Sequence, residues 1–165
     1  MRYTLKERIF SLRESYYIQD ETGANAFEVR GKLISLRDSL TLRDLKTGEE
    51  IQIQEKMLSL RPVYLIQRPN QSDVAVRKDF INFLREGFTI DLPGDQTDLR
   101  IQGDILDLNY SISRSGTTVA QASKKWISLR DSYIVDVAAG EDPVLIIACA
   151  IIVDRMAHEG EEGRS

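Results

Sequence analysis

The chain has 165 residues, a net charge of -4, one Cys and one His. That length fits one domain, and a chain of this size buries about 70% of its unfolded surface, enough for a core without covalent staples. One cysteine excludes an intramolecular disulfide and any Cys-rich zinc or iron–sulfur site. One histidine excludes the paired-histidine metal motifs, and a pI near 5.1 argues against general nucleic-acid binding.

The first residues, Met1 to Arg8, are charged and lack the apolar stretch of a signal peptide. The longest apolar run, Val144 to Val153, has ten residues, against about 20 needed to span a bilayer. No transmembrane segment is predicted. Together with the lone Cys149 this predicts a cytoplasmic protein, peripheral wherever it meets a membrane.

From residue 11 onward the chain repeats itself. Ser-Leu-Arg occurs at 11–13, 35–37, 59–61 and 128–130, and a leucine recurs at Leu12, Leu36, Leu60, Leu84, Leu108 and Leu129. The leucines are expected to enter the core. Midway between them fall turn signals: Thr22-Gly23, Thr47-Gly48, Pro69-Asn70, Pro93-Gly94, Ser115-Gly116 and Ala139-Gly140. Turns therefore alternate roughly every 12 residues, the spacing of an all-β sandwich or barrel. Six two-strand units give about twelve strands.

The segments between turns alternate with period two. Phe27, Val29, Gly31 and Leu33 share one face, with Glu28, Arg30 and Lys32 opposite. Ile51 and Ile53, Val74 and Val76, then Phe88, Ile90 and Leu92 follow the same rule, as do Leu99 and Ile101. In the segment Leu106, Leu108, Tyr110 and Ile112, the apolar face continues. Each such strand has one dry and one wet face. The stretch Asp79–Glu86 is less regular and admits a helical turn.

Asp142-Pro143 opens a segment of another kind. Asp is a good helix N-cap and Pro suits the first helical position. The ten apolar residues that follow have no polar face, so a helix here is buried. The cap and two central alanines favour the helix, while the β-branched residues leave a final buried strand as the competing reading. A helix inside a closed sheet covers every dry face and leaves no sheet edge. The predicted fold is mainly β: a closed antiparallel barrel of about twelve strands around a buried hydrophobic C-terminal helix. The domain is expected over residues 1–157, with a disordered acidic tail over 158–165.

Several stretches, taken in order, carry a family likeness: Phe10-Ser11-Leu12, Ile18-Gln19-Asp20, Val29-Arg30-Gly31-Lys32-Leu33, Lys56-Met57-Leu58-Ser59-Leu60, Ala122-Ser123-Lys124-Lys125-Trp126, and the apolar helix with Asp154. In these the chain resembles the LURP-one-related family of the tubby C-terminal-like superfamily. The resemblance implies a twelve-stranded barrel around a hydrophobic helix, and kinship with tubby proteins and phospholipid scramblases. Tubby proteins hold phosphoinositide headgroups with a lysine and an arginine two residues apart, in a segment reading V-G-K-L-R-S. Lys32 matches that lysine, and Ile34 stands where the arginine would be.

The candidate site that follows is Arg30 with Lys32, on the wet face of one strand, where Arg and Lys suit phosphate and anionic membranes. An ordinary solvated face, with Glu28 beside the pair, is the competing reading. Arg13, Arg37, Arg61, Arg85 and Arg130 recur with the repeat and would ring one end of the barrel. Four of them precede an acid (Glu14, Asp38, Glu86 and Asp131), so local ion pairs are expected. Trp126 reads as a barrel plug beside Lys124 and Lys125, Cys149 as a small core residue, and His158 with Glu159, Glu161 and Glu162 as tail. No phosphate-loop, dinucleotide or nucleophile-elbow motif is present, so no catalytic residue, metal or cofactor is assigned. The expected role is a non-enzymatic binding or scaffold module that contacts anionic phospholipid headgroups or a protein partner. The alternatives are a scramblase-like protein, whose terminal helix would leave the barrel for a bilayer, and an enzyme built on carboxylates such as Asp104 and Asp107.

Overall fold

The computed structural model describes residues 1–7, 15–32, 39–56, 59–80, 86–94, 96–124 and 131–162; the side chains of Lys32, Phe80, Glu86 and residues 159–162 lie outside that description. Twelve strands are followed by one helix. The strands are β1 (Arg2–Lys6), β2 (Tyr16–Asp20), β3 (Asn25–Lys32), β4 (Ser39–Asp44), β5 (Glu50–Glu55) and β6 (Val63–Gln67), then β7 (Val74–Phe80), β8 (Glu86–Asp91), β9 (Leu99–Asp104), β10 (Asn109–Arg114), β11 (Thr117–Lys124) and β12 (Ser132–Val137). Each pairs antiparallel with its neighbours in sequence, and β1 pairs with β12 to close the barrel. The seam is fastened at its end: the Met1 ammonium donates to the Val137 carbonyl at 2.9 Å, and the Val137 amide donates to the Met1 carbonyl at 2.7 Å.

Antiparallel order alternates the connections between two ends of the barrel. The turns after β2, β4, β6, β8, β10 and β12 share one end, and all six expected turn signals fall there. Each contains a residue with positive φ. Ser115-Gly116 is the tightest, with φ of 49° and 81°, the pair of left-handed residues that a two-residue hairpin demands. At the opposite end lie the connections that carry the Ser-Leu-Arg repeat. Of these, residues 11–13, 35–37, 83–85 and 128–130 lie outside the described residues, as do Trp126 and most of the irregular stretch 79–86.

The period-two pattern places the core as expected on most strands. Phe27, Val29, Leu40, Leu42, Ile51, Ile53, Phe88 and Ile90 are buried, and the residues between them face out. Three expectations fail. Leu60 is fully exposed instead of entering the core, because it lies in the bend that precedes β6, which begins only at Val63. Leu106 is exposed too, because β10 starts only at Asn109 and residues 105–108 form a turn. Gly31 is exposed although the alternation predicts the dry face: it keeps its place opposite buried Leu40, but it has no side chain to turn inward and lies one residue from the end of β3. Leu108 does reach the core, with φ of 52°. Gly103 is needed for another reason. It stands opposite Tyr110 in the β9–β10 ladder, and a Cβ there would meet the Asn109 carbonyl at 2.5 Å and the Tyr110 Cα at 2.6 Å. Only glycine allows that approach.

The helix α1 spans Pro143–Glu162 and runs down the lumen. Asp142 caps it: its Oδ1 accepts from the amides of Val144 at 3.0 Å and Leu145 at 3.3 Å. A strand is ruled out here by the sheet itself, since β1 and β12 already pair and no edge is left to extend. The helix continues to Glu162, so the backbone of the segment expected to be a disordered tail from His158 is helical through five residues, from His158 to Glu162. Val144 to Val153 are all buried among the strands, where each aliphatic side chain contributes about 1.5–3 kcal/mol relative to exposure.

Candidate functional site

The helix and the inward side chains occupy the inside of the barrel. Tyr64, Tyr110 and Tyr133 are the largest fully buried side chains. The few polar atoms within are held away from solvent. The Tyr133 hydroxyl donates to the Ala150 carbonyl at 3.3 Å, while the Tyr110 hydroxyl is buried with no hydrogen-bond partner among the described residues. Asp154 is fully buried, and His158 lies one turn on, with Nδ1 2.7 Å from the Asp154 carbonyl and 3.3 Å from its carboxylate. Burial, then the Asp154 charge and Cys149, push the Tyr110 phenol well above its ordinary range. Burial does the same for Tyr133, and it pushes the Cys149 thiol up strongly. These groups stay protonated and dry, so they are structural rather than reactive.

Concavities of about 640–760 Å³ open outside, on the wall and at one mouth. The first runs across β3 to β6 and contains Arg30, Gly31, Thr41, Glu50, Gln52 and Arg68. Arg30 stands on the wet face, as the alternation requires, but its guanidinium is engaged. Nη2 meets Glu50 at 2.5 Å, and Nε lies 3.7 Å from Glu28. Lys32 keeps its strand position opposite Ser39; its side chain lies outside the description. The structure therefore places Arg30 in a groove with paired charge, and leaves Lys32 where β3 leaves the sheet, at the repeat end of the barrel.

A second groove crosses β6, β7 and β8 and reaches the β5–β6 connection. Val63, Leu65 and Ala75 floor it, and Lys56, Arg61, Arg77 and Lys78 line it together with Asp79 and Asp91. Arg77 is paired with Asp91, and Asp79 accepts from the Thr89 hydroxyl at 2.7 Å. Four cations against two carboxylates make this groove basic on an acidic chain. Sequence reading missed it because its residues are dispersed over 36 positions, from Lys56 to Asp91. The adjacent Arg77 and Lys78 were the local signal. Of the repeated arginines, Arg61 alone lies among the described residues, and it belongs to this groove.

The third concavity lies at the mouth where α1 enters, between Met1, Tyr3, Phe27, Asp44 and Pro143. Its carboxylates serve the turns. Asp20 Oδ1 accepts from the Thr22 hydroxyl and from the amides of Thr22 and Ala24, which holds its carboxyl below its ordinary range. Asp44 Oδ1 accepts from the amides of Lys46 and Thr47. Asp104 and Asp107 share one exposed turn, in which Asp104 Oδ1 accepts the Asp107 amide at 3.2 Å. They cap a turn and face open solvent. Lys124 reaches Glu7 at 3.2 Å.

The architecture defines the class first: a closed twelve-stranded antiparallel barrel plugged by an apolar helix. The X-ray structure of the protein AT5G01750 from Arabidopsis thaliana is similar in fold, with a TM-score of 0.62 and 18% identity, over 94% of this chain and 91% of that one. The sequence narrows the class. The family model described as LURP-one-related matches residues 1–154, and the chain belongs to that family. It is also similar to the uncharacterized protein YxjI of Bacillus subtilis (strain 168), 28% identical over 158 residues that cover 96% of this chain and 94% of that protein.

Proposed function

We propose that the protein is a non-catalytic binding module that works through the outside of its barrel, and that its ligand is the headgroup layer of an anionic phospholipid membrane. One observation carries this reading: the lumen is filled by an apolar helix, while the charged concavities lie on the wall. A module whose lumen is filled by its own helix engages its ligand on its surface. The Lys32 position, matched to a headgroup-binding lysine in the family resemblance, supports phosphate as the feature recognised, and Lys or Arg donors suit it. The scramblase-like alternative is disfavoured by the same burial of α1. Among the described residues no helix is long and apolar enough to cross a membrane.

The test is co-sedimentation of the whole chain with vesicles of phosphatidylserine and phosphatidylcholine, against phosphatidylcholine alone. Binding to the anionic vesicles at low salt, weakening as salt rises, is the expected result. Lys32→Glu is expected to weaken it. Equal, negligible sedimentation with both vesicle types at low salt would discard the membrane reading.

A further inference from the structure

The two ends of the barrel differ in a way that sets which one would meet a membrane. At the end where α1 enters, the turns are short and hydrogen-bonded within themselves. Among the residues around the mouth, Asp20, Glu21, Asp44, Glu49 and Asp142 outnumber the Met1 ammonium, Arg2 and Lys46, and Arg68 pairs with Glu49 and Asp142, so that end attracts an anionic surface less than the opposite one does. At the opposite end the β5–β6 connection carries Leu60, whose side chain is fully exposed, at 106% of its reference area. Arg61 follows it, and Lys56 stands at the base of the same connection. Directly beneath runs the basic groove, to which Arg77 and Lys78 contribute from β7. β3 leaves the sheet at this same end, so Lys32 lies there as well.

We infer that Leu60 and the basic groove it lines form the membrane-docking pole, with Leu60 entering the headgroup–acyl boundary and Lys56, Arg61, Arg77 and Lys78 meeting anionic headgroups. This rests on the membrane reading above and gives it a place and an orientation. The occupant is a lipid surface rather than an acidic protein because the exposed Leu60 continues an apolar groove floor that cations border, a pairing of apolar and cationic groups that fits the headgroup–acyl boundary. Leu60 lines the same groove as Val63, Leu65 and Ala75, and Lys56, Arg61, Arg77 and Lys78 border that apolar strip. Its side chain can enter a bilayer interface while its cationic neighbours remain among the headgroups. One inserted side chain with a few cations makes the attachment reversible and salt-sensitive.

The experiment uses the same anionic vesicles and the full chain. Lys56→Glu is expected to weaken binding by about fivefold or more, since each basic residue near an anionic surface contributes about that factor. Leu60→Ser is expected to weaken it by about three- to tenfold. Leu45→Ser and Lys46→Glu, at the opposite mouth, are expected to leave it unchanged. All four positions are exposed, so the fold is retained, which a thermal melt verifies. A direct readout comes from Leu60→Cys carrying an environment-sensitive dye. Cys149 is buried, so the dye attaches at position 60. Its emission should shift to the blue on anionic vesicles and stay put on neutral ones.

Vesicle binding that survives Lys56→Glu and Leu60→Ser but is lost with Lys32→Glu would overturn this docking pole while leaving the membrane reading standing. Absence of vesicle binding by the unaltered chain would overturn both. Binding to a polyglutamate peptide that is lost with Lys56→Glu, with no blue shift at position 60 on vesicles, would assign the groove to an acidic protein partner and overturn the lipid assignment.

Discussion

The two faces of a single strand follow opposite rules. On β4, Leu40 and Leu42 turn inward and are buried against the lumen, while Thr41 and Arg43 turn outward. Inside, the large buried side chains are aliphatic or aromatic, and the Tyr110 hydroxyl sits without a hydrogen-bond partner among the described residues. Outside, charges pair across strands, as Arg30 does with Glu50 and Arg2 with Asp136. The inner face is close-packed, so volume changes there are felt strongly. The outer pairs are solvated and contribute little to stability. The wall is therefore free to vary in charge, and ligand chemistry can be written on it without disturbing the barrel.

The contrast can be broken most forcefully from within. Ile147 is fully buried on α1, and Ile147→Ala is expected to cost about 2–5 kcal/mol in a denaturant titration, through lost burial and the cavity left behind. A smaller change would mean that the lumen collapses around the gap. Alkaline pH attacks the same interior. The folded-state values of Cys149, Tyr110 and Tyr133 are raised above their ordinary values of 9.0 for the thiol and 10.0 for the phenols. The unfolded chain then releases protons that the folded chain keeps. Stability is fully present below pH 9 and falls as pH rises beyond it, by about 1.4 kcal/mol per pH unit for each group still holding its proton. Melting temperatures recorded from pH 8 upward would show the decline, and a flat profile to pH 11 would contradict the dry interior.

The helix cap comes next. Asp142→Ala removes the acceptor for two amides and the partner of Arg68, whose guanidinium lies 2.6 Å away. A loss of about 0.5–2 kcal/mol is expected, and Asp142→Asn should restore most of the capping share. The smallest effect belongs to the wall. A double-mutant cycle on Arg30→Gln and Glu50→Gln should give a coupling below about 1 kcal/mol that shrinks with added salt. A larger coupling would show that the wall takes part in holding the fold.

Much of the barrel was legible because its code is local. Alternation of Ile51 and Ile53 with Gln52 and Gln54 states which way each side chain points, and Ser115-Gly116 states where the chain reverses. Asp142-Pro143 announced the helix start. Its C-terminal extent was less readable, since the Glu- and Gly-rich stretch after Ala157 looks like solvent-exposed chain whether or not it is wound. Leu60 and Leu106 misled for a related reason: periodicity assigns a face only where a strand exists, and both lie in connections. The candidate groove was hidden because its cations come from one connection and a strand that meet only through the register, with Val63 opposite Arg77. Arg30 was correctly placed on the wet face, but Glu50, its partner from β5, is 20 residues away in sequence.

The seam between β1 and β12 bears on how the chain is made. Tyr3 pairs with Val135 and Leu5 with Tyr133, so the first strand cannot find its second neighbour until nearly the whole chain has left the ribosome. The helix that covers the inner faces emerges later still. Through most of synthesis the growing sheet has an open edge and an uncovered apolar side, both of which favour aggregation. Contacts this distant in sequence form slowly, so the sheet stays open on one side until the last strand and the helix are in place.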